Sequence, residues 1–81
     1  MFYVYVLLSL SYNNYYIGST ADIEKRLKKH NSGKCRYTSG RMPWRLMHKE
    51  KFVTRSAAVK LERFLKSGQG RKQLKEMLEK I

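Results

Sequence analysis

The run from Phe2 to Leu8 has no polar face. Phe2, Val4, Val6 and Leu8 fall on one side of an extended chain and Tyr3, Tyr5 and Leu7 on the other, and a strand apolar on both sides must be covered on both sides. It is therefore expected to be a central strand, reaching to about Leu10. A chain of 81 residues has material for a single domain, 1–81, because one this short buries only roughly 60% of the surface its unfolded form exposes. The apolar run is also too short to span a membrane, has no basic segment before it and runs into Tyr and Asn without a small-residue cleavage pattern. No membrane partner is expected. Cys35 is the only cysteine, which excludes an intramolecular disulfide and a Cys-rich zinc site and suits a reducing, cytoplasmic setting.

The rest of the chain supplies the cover. Ser11-Tyr12-Asn13-Asn14 is turn chemistry and Tyr15-Tyr16-Ile17 resumes the strand pattern, which predicts an antiparallel hairpin ended by Gly18. Ser19-x-x-Asp22 has the spacing of a capping box, and Ala21, Ile23 and Leu27 the spacing of a helix running to about His30, stopped by Asn31-Ser32-Gly33. The segment from Lys34 to Pro43 has no periodicity and reads as a basic loop. From Trp44 to Val53 an alternating face of Trp44, Leu46, His48, Glu50 and Phe52 predicts a third, half-exposed strand. Thr54 or Ser56 can cap a second helix with a stripe of Ala57, Ala58, Leu61, Phe64 and Leu65, for which Gly68 is the expected stop. Leu74, Met77, Leu78 and Ile81 predict a third helix after Arg71. The order β-β-α-β-α-α predicts an α+β fold, a three-stranded antiparallel sheet flanked by three helices.

Lys and Arg number 18 against 6 Asp and Glu, a formal charge of +12, on a chain that is 42% hydrophobic. The charge therefore sits on a folding globule, not on a disordered tail, and calls for a polyanionic partner. So few acids leave no paired carboxylates for a two-metal nuclease, a glycosidase or an aspartic dyad. Asp22 and Glu24 belong in the first turn of a helix, while Glu50, Glu76 and Glu79 lie among lysines. Glu62 differs, since helical projection places it at the border of the apolar stripe, where the helix meets the sheet. Its spacing suits a salt bridge to Lys66 and equally a lone carboxylate ligand for Mg²⁺. Arg26 and His30 share a helix face beside Ile23 and Leu27. Each has a plain alternative, a solvated cation and a histidine at a helix C-terminus. Five of the six tyrosines crowd the hairpin, and Tyr5 and Tyr16 share a sheet face if the register allows. Neighbouring cations would lower such a phenol and make it a general base.

Tyr3-Val4-Tyr5, an interval of about ten residues, Tyr16-Ile17-Gly18, Arg26 with His30, and a later Glu62 together resemble the GIY-YIG endonuclease superfamily over essentially the whole chain. Gly18-Ser19-Thr20, His30-Asn31-x-Gly33 and Pro43-Trp44 are similar to its small stand-alone branch. The resemblance implies a one-metal phosphodiester hydrolase; DNA is the nucleic acid expected ahead of RNA, and the choice between them stays open. It implies that Tyr5 and Tyr16 are the motif tyrosines, one of them base or water-positioning group, and that Gly18 lets substrate approach the backbone. Arg26 would stabilise the phosphate, His30 would occupy the adjacent polar site, and Glu62 would hold one Mg²⁺ or Mn²⁺. The chain departs from the pattern at Tyr3, where the name-giving motif has Gly, and at Ser19, where several DNA-repair members carry a Lys.

Independently of that resemblance, Lys34, Arg36 and Arg41 with Tyr37 make a loop suited to tracking phosphates and stacking on bases. Such a loop would serve a non-catalytic nucleic-acid-binding module, or a small RNA-associated assembly protein, as well as a nuclease. No recognition helix or zinc finger is present to read bases, and the oligomeric state is not encoded in any motif.

Overall fold

The computed structural model describes residues 1–12, 14–33 and 40–79, so the loop residues Lys34, Arg36 and Tyr37 lie outside the described residues. The elements are β1 (Phe2–Ser9), β2 (Tyr15–Thr20), α1 (Ile23–Asn31), β3 (Trp44–Phe52), α2 (Arg55–Lys66) and α3 (Gly68–Glu79). The three strands are antiparallel in the order β2-β1-β3. The strand without a polar face is thus the central one, and two separate cores cover it. Val4 and Val6, with Ile17 of β2, pack against Ala58 and Leu65 of α2 and Leu74 and Leu78 of α3. On the other face Tyr5, Leu7 and Trp44 pack with Ile23 and Leu27 of α1.

Four local expectations give way. β2 continues through Gly18 to Thr20, because Gly18, Ser19 and Thr20 still pair with Tyr5, Val4 and Tyr3. The alternation along β3 is broken by a bulge: Val6 pairs with His48 but Leu7 with Leu46, which leaves Met47 as the extra residue. Trp44 and Leu46 therefore face α1, while Met47 and Phe52 pack into the opposite core. The cap of α1 is Asp22, whose side chain accepts from the Lys25 N–H, so Ser19 is released from the expected capping box for a different contact. Finally, Ser67 and not Gly68 ends α2, and Gly68 opens α3. The Ser67 hydroxyl donates to the Phe64 carbonyl and accepts from the Gly70 N–H, serving both helix ends. Thr54 is the cap of α2, and Phe64, placed by its spacing in the stripe, is 40% exposed.

Gly70 is the tight point of the α2–α3 corner. A Cβ there would be driven into the Phe64 carbonyl and lie 2.6 Å from Leu65 Cα, whereas one on Gly68 would meet nothing within 4 Å. Backbone cannot yield as a flexible side chain can. Gly70→Ala is accordingly expected to lose about 2 kcal/mol or more, a fall in Tm of roughly 10 °C, with Gly68→Ala near neutral. Thermal melts of the two variants check this.

Candidate active site

The hairpin register decides which tyrosines meet. Tyr5 lies opposite Gly18 and Leu7 opposite Tyr16, so Tyr5 and Tyr16 share the α1 face, with ring centroids 6.3 Å apart. The Tyr5 ring folds across β2 over Gly18, where a Cβ would stand 2.5 Å from its hydroxyl and 2.7 Å from Cζ. On the side where a Cβ would stand, the room that Gly18 leaves is filled by the Tyr5 phenol. Gly18→Ala would displace the Tyr5 hydroxyl from the contacts described next.

Helical spacing brings Arg26 and His30 onto that hydroxyl together. Arg26 Nε donates to it at 3.3 Å, and it lies 3.1 Å from His30 Nε2. Both Tyr5, 2% exposed, and His30, 1% exposed, are buried. Burial pushes the Tyr5 phenol up to about 12, against the opposing hydrogen bond from Arg26. Burial lowers His30 below its ordinary 6.5, and Arg26 and Lys29 push it the same way. The two directions agree: a neutral phenol, accepting from Arg26, lies within hydrogen-bond distance of a neutral imidazole. The expected tyrosinate is thus reversed at Tyr5, since desolvation of a phenolate outweighs one guanidinium. The Tyr16 ring lies tilted against His30, centroids 4.9 Å apart, and meets Trp44 edge-on at 6.1 Å.

His30 carries a consequence for stability. Its folded pKa lies below the unfolded 6.5, so the unfolded chain binds more protons between the two values. The contribution is complete above the unfolded pKa and is lost as pH falls through that window. Wild type should therefore lose more Tm than His30→Gln between about pH 7 and pH 5, which paired melts would test.

Glu62 comes from the other side of the sheet. Ser19, opposite Val4, belongs to the α2 face, and its hydroxyl donates to Glu62 Oε1 at 2.6 Å. Lys66 Nζ donates to Oε2 at 2.8 Å. Burial works to raise the Glu62 carboxyl, but the hydrogen bonds from Lys66 and Ser19 and the charges of Lys66 and Arg63 outweigh it and hold it below the usual range. Glu62 is thus ionised, and its salt bridge with Lys66 is formed. The two faces meet at the outer edge of β2. Tyr5 reaches that edge over Gly18, one residue from Ser19, and the Glu62 charge bears on its phenol. Ser19 brings no cation to this edge, but Lys66 does.

Two positioning features escaped the sequence reading. The Asn31 side chain accepts from the Trp44 N–H at 2.7 Å and donates to the Trp44 carbonyl at 3.1 Å, clamping the start of β3 to the end of α1 as a neighbouring strand would. A surface hollow of about 400 Å³ on α1 is lined by Lys25, Lys28, Lys29 and Ser32, a cationic surface. Of the loop cations, Arg41 stands over the Tyr12 ring, 5.9 Å from its centroid.

The profile of the GIY-YIG catalytic domain matches residues 1–75, and the chain belongs to that family, a family of nuclease domains that bind nucleic acid and generally use a divalent metal. It is similar to the UPF0213 protein HQ_3675A of Haloquadratum walsbyi, 46% identical over 66 residues, 80% of this chain and 73% of that one. It is likewise 46% identical over 59 residues to the UPF0213 protein lin0209 of Listeria innocua, 72% of this chain and 66% of that one. The chain thus spans about two thirds to three quarters of the length of these relatives. The solution structure of the UPF0213 protein BH0048 of Bacillus halodurans is 37% identical with a TM-score of 0.57, covering 95% of this chain and 85% of that one.

Proposed function

We propose that this chain is an endonuclease that hydrolyses phosphodiester bonds of DNA, in preference to RNA, with one Mg²⁺ or Mn²⁺. The observation that carries the reading is the buried Tyr5 hydroxyl held between Arg26 and His30, at the strand edge where Glu62 emerges. A polar group so enclosed needs partners only to be stable, but it does not need an arginine, a neutral imidazole and an ionised carboxylate converging on one edge.

Glu62 suits a hard cation. It stays charged, and its carboxylate keeps further lone pairs beyond those used by Ser19 and Lys66. Lys66, 48% exposed, is free to swing aside. Among the described residues no group of three or more His, Cys, Asp or Glu could hold a metal, so the ion would keep several waters and phosphate oxygens, as Mg²⁺ prefers. Such an ion would polarise the phosphate and stabilise the leaving oxygen.

The remaining work falls to the chain's own side chains. Arg26, drawn to the phosphate, stabilises charge on its non-bridging oxygens and uncovers the Tyr5 hydroxyl. Tyr5 takes a proton from the attacking water as it passes its own to His30 Nε2, so the net base is the neutral imidazole and no standing phenolate is required. Tyr16, against His30, orients the same water. Hydroxide adds to phosphorus and the bond to the leaving oxygen breaks.

Binding is expected to be sequence-tolerant, through the lysines of α1, Arg41 and the loop cations Lys34 and Arg36 with Tyr37. The proposed setting is cytoplasmic, suited to a lone cysteine; among the described residues no helix is long and apolar enough to cross a membrane. The test is nicking of single-stranded, duplex, flapped and branched DNAs with Mg²⁺ or Mn²⁺, alongside affinity against salt. Affinity should fall with a log–log slope on the order of minus one per phosphate contact. A flat salt dependence would show that phosphate contact is not the basis of binding.

A further inference from the structure

The tip of the β1–β2 hairpin is built more firmly than a connecting turn requires. Ser9 is fully buried and is its hub: the hydroxyl donates to the Arg41 carbonyl at 2.7 Å and accepts from the Tyr12 N–H at 3.1 Å. Ser11 donates to the Met42 carbonyl at 3.1 Å, and the Leu10 N–H to the Pro43 carbonyl at 3.0 Å. These bonds tie residues 9–12 to residues 41–43. What they hold in place is Tyr12, 65% exposed, with the Arg41 guanidinium over its ring.

A free cation–π pair at an exposed site is worth too little to order two loops by itself. Here the backbone is ordered by the contacts of the buried Ser9 and the exposed Ser11, and the aromatic surface is left facing solvent beside a positive charge. Ser9 also shares the Tyr5 face, four residues farther along β1, and Met42 packs with Tyr5 and Leu7. The tip is therefore continuous with the site, its base at Ser9 lying about 13 Å along β1 from Tyr5.

We propose that the Tyr12 ring and Arg41 form a stacking platform for an unpaired nucleobase, roughly two to four nucleotides from the phosphate that is cut. This rests on the nuclease reading and adds to it a preference for substrates with a single-stranded segment next to the cleavage point. A ring face stacks on any base, so the platform selects strandedness and not sequence.

The test is equilibrium binding of the full chain in the cleavage-blocked Glu62→Gln background, without metal. The probes are a short oligothymidylate, its oligouridylate counterpart and a blunt DNA duplex, the first two carrying 2-aminopurine. Adding Tyr12→Leu should lower single-strand affinity relative to duplex affinity by about 5- to 100-fold and abolish 2-aminopurine quenching, and Tyr12→Phe should restore both. The two oligonucleotides distinguish deoxyribose from ribose substrates. Equal losses on single strand and duplex, or no loss, would overturn the platform while leaving the nuclease reading in place. If the background protein bound none of the probes, the reading beneath it would fall as well.

Discussion

Glu62→Gln is expected to reduce divalent-dependent nicking by several orders of magnitude while leaving DNA affinity within about twofold. The amide keeps the size of the side chain and can still accept from Ser19, so the α2–β2 contact survives. It loses the charge that would hold the metal. It also loses the ion pair with Lys66, which is half-exposed and worth a few tenths of a kcal/mol at about that spacing. The salt-bridge role alone makes the opposite forecast, a small fall in Tm with nicking unchanged. Nicking rate, duplex affinity and Tm measured on one preparation separate the two.

Tyr5→Phe is the second large effect. It deletes one oxygen from a buried cluster and leaves Arg26 Nε and His30 Nε2 without their shared partner, so cleavage should fall by about 10²- to 10⁴-fold. On the proposed proton path from Tyr5 to His30, the Tyr5→Phe/His30→Gln double variant should be little worse than the worse single variant. The pH profile of single-turnover cleavage adds a sign. With His30 as net base, the rate rises as pH increases through the lowered imidazole pKa and levels off above about pH 7. A standing phenolate at Tyr5 would instead give a rate still climbing toward 12.

What the sequence made legible follows from short-range geometry. The lack of a polar face alone showed that β1 would be central, and a four-residue step on a helix put Arg26 and His30 together whatever else the chain did. Tyr5 and Tyr16 needed one further fact, the hairpin register, and pairing Tyr5 with Gly18 supplied it. The bulge at Met47 was not legible because the alternation in the sequence runs through it unbroken. Ser19 sat at a capping spacing, yet its partner Glu62 is 43 residues away, and no local pattern records such a contact. Gly18 and Gly70 look alike in sequence to any turn glycine. Their reasons are a phenol ring and a neighbouring helix backbone. The direction of the Tyr5 shift was misjudged for a related cause, since nearby cations can be counted in a sequence but burial cannot.

Cleavage of a flapped DNA by the wild-type chain, with Mg²⁺ titrated upward from chelator, tests the central claim most directly. The account predicts no product in chelator and a rate that saturates with a single class of ion, lost in parallel in Glu62→Gln and Tyr5→Phe. Tight, salt-sensitive binding with no cleavage at any Mg²⁺ or Mn²⁺ concentration, or cleavage undiminished in chelator, would contradict it.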